Sequence, residues 1–186
     1  AGSFGRFDSV VDMLAGVPLG QVRVIGTTTR ADDYDDGDGR AVHSKYSRWS
    51  ANATATWTPD DYTSVEFSTA KSDGEAAYAD RTMDGAKFDR SNFAVRGKRR
   101  DVSPLISAVE AHAYYNYVDH VMDNHSLRPF TPSMMMPGKA VSNPDRLTTG
   151  GLVKFELIPL DSLKVIAGLD TQHNVHTIRT TANQTT

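Results

Sequence analysis

An imidazole and a thioether stand two residues apart at His120 and Met122. They follow the stretch 109–117, in which apolar and polar side chains alternate as in a β-strand. Residues two apart share one face of a strand, so both side chains are expected to project to the same side. Imidazole suits copper and a thioether favours Cu(I), so the pair could bind copper. On a strand, however, such a pair is often incidental, and two ligands are few for a metal site.

Three consecutive methionines lie further along, at Met134, Met135 and Met136, between Pro132 and Pro137. Thioethers exposed in a loop could capture a soft metal ion. They could equally close the mouth of a pore by packing together. The sequence leaves both interpretations open.

The acidic segment 32–39 resembles a calcium loop in composition. A helical calcium loop needs acidic residues at positions one, three and five, followed by glycine at position six. If Gly37 is sixth, Tyr34 is third; if Gly39 is sixth, Tyr34 is first. Neither alignment fits, so a solvated acidic loop is the favoured interpretation.

Two further histidines, His173 and His176, are spaced by three residues. On a strand this spacing would point them to opposite faces, and we predict that they lie at the entry to a loop. The chain has no nucleophile elbow, no His-Glu-x-x-His motif and no phosphate-binding glycine loop. The sequence therefore offers no catalytic residues, and we expect a protein that is not an enzyme.

Alternation recurs along the chain and predicts about eight strands of roughly nine to eleven residues, the length that crosses a bilayer at the tilt of a barrel. Between Trp49 and Trp57 every odd position is apolar and every even position is polar. Aromatic residues at both ends of a strand are typical of the interfacial girdles of membrane barrels. Other alternating segments begin at Val22, Val65, Phe93, Val109, Val153 and Leu163.

The connections between these segments are alternately short and long. The predicted short turns are 16–19, 58–61, 101–104 and 159–162, and the predicted long links are 31–45, 74–87 and 124–147. Outer-membrane barrels have short periplasmic turns and long extracellular loops. We therefore predict an all-β fold, namely an antiparallel transmembrane β-barrel fragment, with His120 and Met122 facing the lumen near the extracellular mouth. A soluble antiparallel sandwich also alternates and is the competing prediction.

Composition narrows the function classes. The 186 residues include no cysteine, 20 basic and 23 acidic residues, and the formal net charge is −3. That balance argues against nucleic acid as a partner. The mean hydropathy is −0.44, as expected where only alternate residues meet lipid. The chain begins Ala-Gly-Ser-Phe and ends in a polar run, which we interpret as an interior piece of a longer protein.

Several segments resemble the barrel of TonB-dependent copper receptors of the bacterial outer membrane. They are 57–59, 74–85, 114–128 and the hairpin 150–170, and the most specific is Tyr-Asn-Tyr-Val-Asp-His-Val-Met-Asp-Asn at 115–124. The resemblance extends over essentially the whole chain.

This resemblance implies that residues 1–186 form part of a larger barrel whose plug domain and remaining strands lie outside this sequence. Copper would be the transported ligand, and no catalytic cofactor is implied. His120 and Met122 match the barrel half of a copper site that the plug completes with Cys and Met ligands. The implied partners are outer-membrane lipid and, through the plug, the TonB complex. The piece alone would be an open, curved sheet with unpaired edges.

Two other functions remain open. The same architecture could import a ferric siderophore, haem or cobalamin. A soluble or surface β-protein used for adhesion would instead turn five side chains towards a second sheet, namely Trp49, Trp57, Val153, Phe155 and Leu157.

Overall fold

Eight long strands form one antiparallel sheet in the computed structural model, which describes residues 3–184. After a 3₁₀ turn at Ser3–Gly5, the strands are β1 (Phe7–Val17), β2 (Gly20–Ala31), β3 (Tyr34–Asp35), β4 (Ala41–Val42), β5 (Tyr46–Asp60), β6 (Thr63–Ala76), β7 (Asp84–Arg100), β8 (Ile106–Asp123), β9 (Lys139–Leu160) and β10 (Leu163–Gln184). The short strands β3 and β4 pair only with each other. The large sheet is open, with β1 and β10 at its edges, which confirms the predicted all-β antiparallel fold.

Each long strand pairs with the next long strand in the chain. The turns at 18–19, 61–62, 101–105 and 161–162 therefore lie at one end of the sheet, and the links 32–45, 77–83 and 124–138 lie at the other. This arrangement confirms the predicted alternation of short and long connections. It also places the ends of β7 and β8 that carry Asp84 and Asp123 beside the long loops.

The strands are longer than predicted. The eight long strands run from 11 residues in β1 to 22 residues in β9 and β10. The predicted length of nine to eleven residues was therefore wrong for most of them. Two predicted long links, 74–87 and 124–147, consequently shorten to 77–83 and 124–138. Backbone pairing continues into segments such as 139–149 of β9, where apolar and polar side chains no longer alternate regularly, so the sequence does not mark them as strand.

His173 and His176 also differ from expectation. Both lie inside β10, paired with Thr149 and Arg146 of β9, rather than at the entry to a loop. Their spacing still directs them to opposite faces of the sheet. They cannot act as a chelating pair in this conformation.

The sheet has two chemically distinct faces and is one layer thick. The apolar face carries Trp49, Trp57, Phe67, Phe93, Tyr115 and Phe155, all of which are exposed. The opposite face is polar and carries His120 together with charged side chains such as Arg96 and Glu110. Among the described residues, the buried hydrophobic side chains are only Ala77, Ala108 and Ala140. Within residues 3–184, no helix has the length and apolar character needed to cross a membrane.

Candidate functional site

His120 and Met122 lie near the loop end of β8, on the polar face of the sheet. His120 pairs with Phe88 of β7, and Met122 pairs with Gly85 of β7 and Ser142 of β9. Since they are two residues apart in one continuous strand, they project to the same side.

A β-bulge in β7 determines what lies opposite Met122. The pairing shifts between Gly85 and Lys87, leaving Ala86 as the extra residue. The bulge therefore brings Gly85 opposite Met122. A Cβ atom at Gly85 would lie 2.2 Å from Cζ of Phe88, so the Phe88 ring occupies the space that any larger residue would need.

Phe88 also packs against His120. The two ring centroids are 4.6 Å apart and their planes are inclined by 32°. Nε2 of His120 is buried and has no hydrogen-bond partner among the described residues, a condition shared with Nδ1 of His125. A buried polar atom without a partner costs free energy. A metal ion bound at Nε2 would remove that cost, and the adjacent thioether of Met122 has the chemistry of a soft second ligand.

Side chains from both neighbouring strands hold β8 beside His120. Asp119 accepts hydrogen bonds from Nζ of Lys87 at 2.8 Å and from Nδ2 of Asn143 at 2.5 Å. Opposite His120, the ladder to β9 is interrupted, because Pro144 has no N–H to donate. There the side-chain Nδ2 of Asn143 donates to the backbone carbonyl oxygen of His120 at 3.3 Å. The backbone that carries the imidazole is thus fixed from both sides.

Asp84, at the start of β7, is fully buried and joins three loops. Its carboxylate accepts hydrogen bonds from Nε2 of His43 at 2.9 Å and from the backbone N–H of Tyr78 at 2.9 Å. Arg128 donates to both of its oxygens, from Nε at 2.7 Å and from Nη2. We call these four residues the Asp84 clasp. Burial by itself raises the pKa of Asp84, but these hydrogen bonds outweigh it and lower the pKa to about 2.

The loop 124–138 is fixed where it leaves β8. Asp123 accepts hydrogen bonds from the backbone N–H groups of His125 and Ser126, at 3.0 and 2.7 Å. Asn124 donates to the carbonyl of Gly138 at 3.1 Å and accepts from the N–H of Ala140 at 3.0 Å. These bonds close the loop at its base, immediately after Met122.

The three methionines occupy a turn in this loop. Ser133 and Met136 close it with reciprocal backbone hydrogen bonds of 3.0 and 3.2 Å. Met134 and Met135 lie at its tip and are 100% and 84% exposed. Met136 turns inward and lines a cavity of about 510 Å³ together with His43 and Arg128. The structure thus separates Met136 from its two neighbours.

Sequence reasoning singled out His120 and Met122 as candidate ligands but missed the Asp84 clasp. His43 and Arg128 lie 41 and 44 residues from Asp84, and no local spacing connects them. Asp84 precedes Gly85, and because an acidic residue followed by glycine is common in loops, this pair did not mark Asp84 as special. Among residues 3–184, no three His, Cys, Asp or Glu side chains are grouped so that they could hold a metal ion.

A second ionic cluster lies on the polar face near the short turns. Glu110 is 5% exposed. It accepts hydrogen bonds from Nε and Nη2 of Arg96, at 2.9 and 2.5 Å, and its other oxygen lies 3.1 Å from Nζ of Lys154. The cluster connects β7, β8 and β9 across the sheet.

No protein-family model matches the chain, and no curated protein sequence matches it. A solved structure described as "Copper transporter OprC" is similar to it, with a TM-score of 0.88 and 43% sequence identity over 97% of this chain. The chain spans 28% of the length of that structure. Its eight-stranded open sheet is therefore similar to part of the barrel of OprC.

Proposed function

We propose that this chain is part of the barrel of a TonB-dependent receptor that imports copper across the bacterial outer membrane. His120 and Met122 are its barrel-side copper ligands, and residues 1–186 form a partial barrel domain. The observation that carries the proposal is the buried Nε2 of His120, which has no hydrogen-bond partner within residues 3–184 and lies beside a thioether on the same face of the strand. An imidazole and a thioether together favour copper over hard cations.

The similarity to a copper transporter supports the cargo. It extends over 97% of this chain at 43% identity. No specific feature of the described residues favours a siderophore, haem or cobalamin instead. Energy from the TonB complex and further copper ligands would come from a plug domain outside these residues.

The two faces of the sheet support a position in a membrane. A row of apolar and aromatic side chains on one face would meet lipid, and the opposite polar face would line the lumen. A soluble sandwich would need a second sheet over the apolar face. The part of the chain that the structure describes supplies only the small β3–β4 pair beyond the main sheet.

A copper titration of the intact receptor tests the ligand assignment. The His120→Ala and Met122→Ala variants should each weaken copper binding by at least tenfold, since each removes one of a small set of ligands. The Val118→Ala variant, changed on the same face of β8, is the control and should bind normally. Unchanged affinity in both ligand variants would contradict the proposal.

A further inference from the structure

The long loops form a cavity of about 510 Å³ that lies outside the candidate copper site. Its volume falls within the range typical of sites for small organic ligands. Its lining includes the apolar side chains of Pro129, Phe130 and Met136, together with the ring of Tyr78 and the guanidinium group of Arg81. The cavity therefore combines apolar surface with a cation.

The guanidinium group of Arg81 is available to a ligand. It lies over the ring of Tyr78, with Cζ 4.9 Å from the ring centroid. Within residues 3–184 it forms no hydrogen bond and no salt bridge. A cation over an aromatic face is held without use of its N–H donors. These donors form a planar fork that matches the two oxygens of a carboxylate.

The Asp84 clasp anchors the backbone of both residues in this cation–π pair. Tyr78 donates its N–H to Asp84 at 2.9 Å, and its carbonyl oxygen accepts from Nη2 of Arg128 at 2.8 Å. Nη1 of Arg128 donates to the carbonyl oxygen of Arg81, also at 2.8 Å. The pair is thus positioned before any ligand arrives, which reduces the entropy cost of binding.

The charges at the cavity favour an anion. No aspartate or glutamate is among the described residues that line it. Asp84 is fully buried, and Arg128 neutralises its charge by bonding to both of its oxygens. Asp80, next to Arg81 in the chain, is exposed and is not part of the lining. Arg81 therefore contributes a positive charge that no acidic side chain of the lining compensates.

Hydroxyl groups provide further hydrogen-bond donors. Thr82, Thr131 and Ser133 all line the cavity. The Oγ of Ser133 accepts a hydrogen bond from the backbone N–H of Met136 at 3.1 Å, so its own hydrogen can be donated to a ligand. A guanidinium group and hydroxyl donors together suit the oxygens of an anion.

We propose that this cavity binds a small organic monocarboxylate with an apolar body. Arg81 binds the carboxylate through charge-assisted hydrogen bonds, and Pro129 and Phe130 contact the apolar body. A phosphate group carries a charge of about −1.5 to −2 near neutral pH, so a single guanidinium group is a better match for a carboxylate. The site is separate from His120 and Met122 and does not depend on their assignment as copper ligands.

The test is a fluorine NMR titration of para-fluorobenzoate with the intact receptor in lipid nanodiscs. The uncharged para-fluorobenzamide has the same ring and measures non-specific partition into lipid. Arg81→Gln removes the positive charge, and Arg81→Lys retains it without the planar fork. Arg40→Gln is the matched control, because Arg40 is an exposed arginine of the long link 32–45 and does not line the cavity.

We expect para-fluorobenzoate to bind and the amide not to bind. Arg81→Gln should weaken binding by about tenfold, as expected for the loss of a hydrogen bond to a charged group. Arg81→Lys should weaken it less, and Arg40→Gln should leave it unchanged. Absence of binding, equal binding of the acid and the amide, or unchanged binding in Arg81→Gln would overturn the site. Displacement of para-fluorobenzoate by an equal concentration of inorganic phosphate would overturn the assignment to carboxylates.

Discussion

The Phe88 ring packs against the His120 imidazole, with ring centroids 4.6 Å apart, and also fills the space above Gly85. One aromatic side chain thereby connects Gly85 of β7 with His120 of β8 at the candidate copper site. Gly85 pairs with Met122, so the position of Phe88 depends on the glycine opposite one ligand and in turn supports the other.

A Gly85→Ala substitution tests this link. The added methyl group would lie 2.2 Å from the Phe88 ring, so the ring must shift and release His120. We expect copper affinity to fall by about tenfold or more, as for the loss of other groups that orient metal ligands. Gly97→Ala in the same strand is the control, because nothing lies within 4 Å of its added carbon. Equal affinities of the two variants would refute the positioning role of Phe88.

Loss of the Asp84 clasp should loosen the long loops. Asp84→Asn removes a buried charge whose partner Arg128 is only 23% exposed, and breaking such a pair costs about 3 kcal/mol. We expect faster tryptic cleavage after Arg81 in the intact receptor. Asp80→Asn, exposed in the same loop, serves as the control. Identical cleavage rates would show that the clasp does not order the loops.

The clasp should also fail in acid. The pKa of Asp84 is lowered from 3.8 to about 2, so its ionised form stabilises the folded loops. That stabilisation is fully present above pH about 4 and is lost as the pH falls through about 2. It amounts to about 2 kcal/mol at roughly 1.4 kcal/mol per pH unit. Loop proteolysis by an acid protease should increase over this interval in the unaltered receptor, whereas the Asp84→Asn variant should show no such pH dependence.

The two faces of β5 should respond differently to a charge. Ala53 lies midway between Trp49 and Trp57 on the apolar face, and its neighbour Asn52 lies on the polar face. An arginine at the middle of a lipid-facing strand costs about 2–4 kcal/mol. Ala53→Arg should therefore lower the yield of folded barrel in lipid vesicles, whereas Asn52→Arg should not. The folded fraction is measured by SDS gel electrophoresis of unheated samples, in which a folded barrel migrates differently from the heat-unfolded chain. Equal yields would contradict the membrane orientation.

The sequence was sufficient to predict the sheet and to single out one candidate ligand pair, because both depend on the two-residue period of a strand. Trp49 and Trp57 marked one face, and His120 and Met122 shared the other. The ends of the strands could not be predicted, since β9 and β10 continue through segments in which apolar and polar side chains no longer alternate regularly. The Asp84 clasp and the bulge at Gly85 depend on contacts between residues distant in sequence, so no local pattern reveals them.

The most direct test of the copper assignment is a crystal structure of the intact, copper-loaded receptor with anomalous data collected at the copper edge. We predict an anomalous peak bonded to both Nε2 of His120 and the sulfur of Met122. A copper peak elsewhere, with Nε2 of His120 still without a ligand, would contradict the assignment.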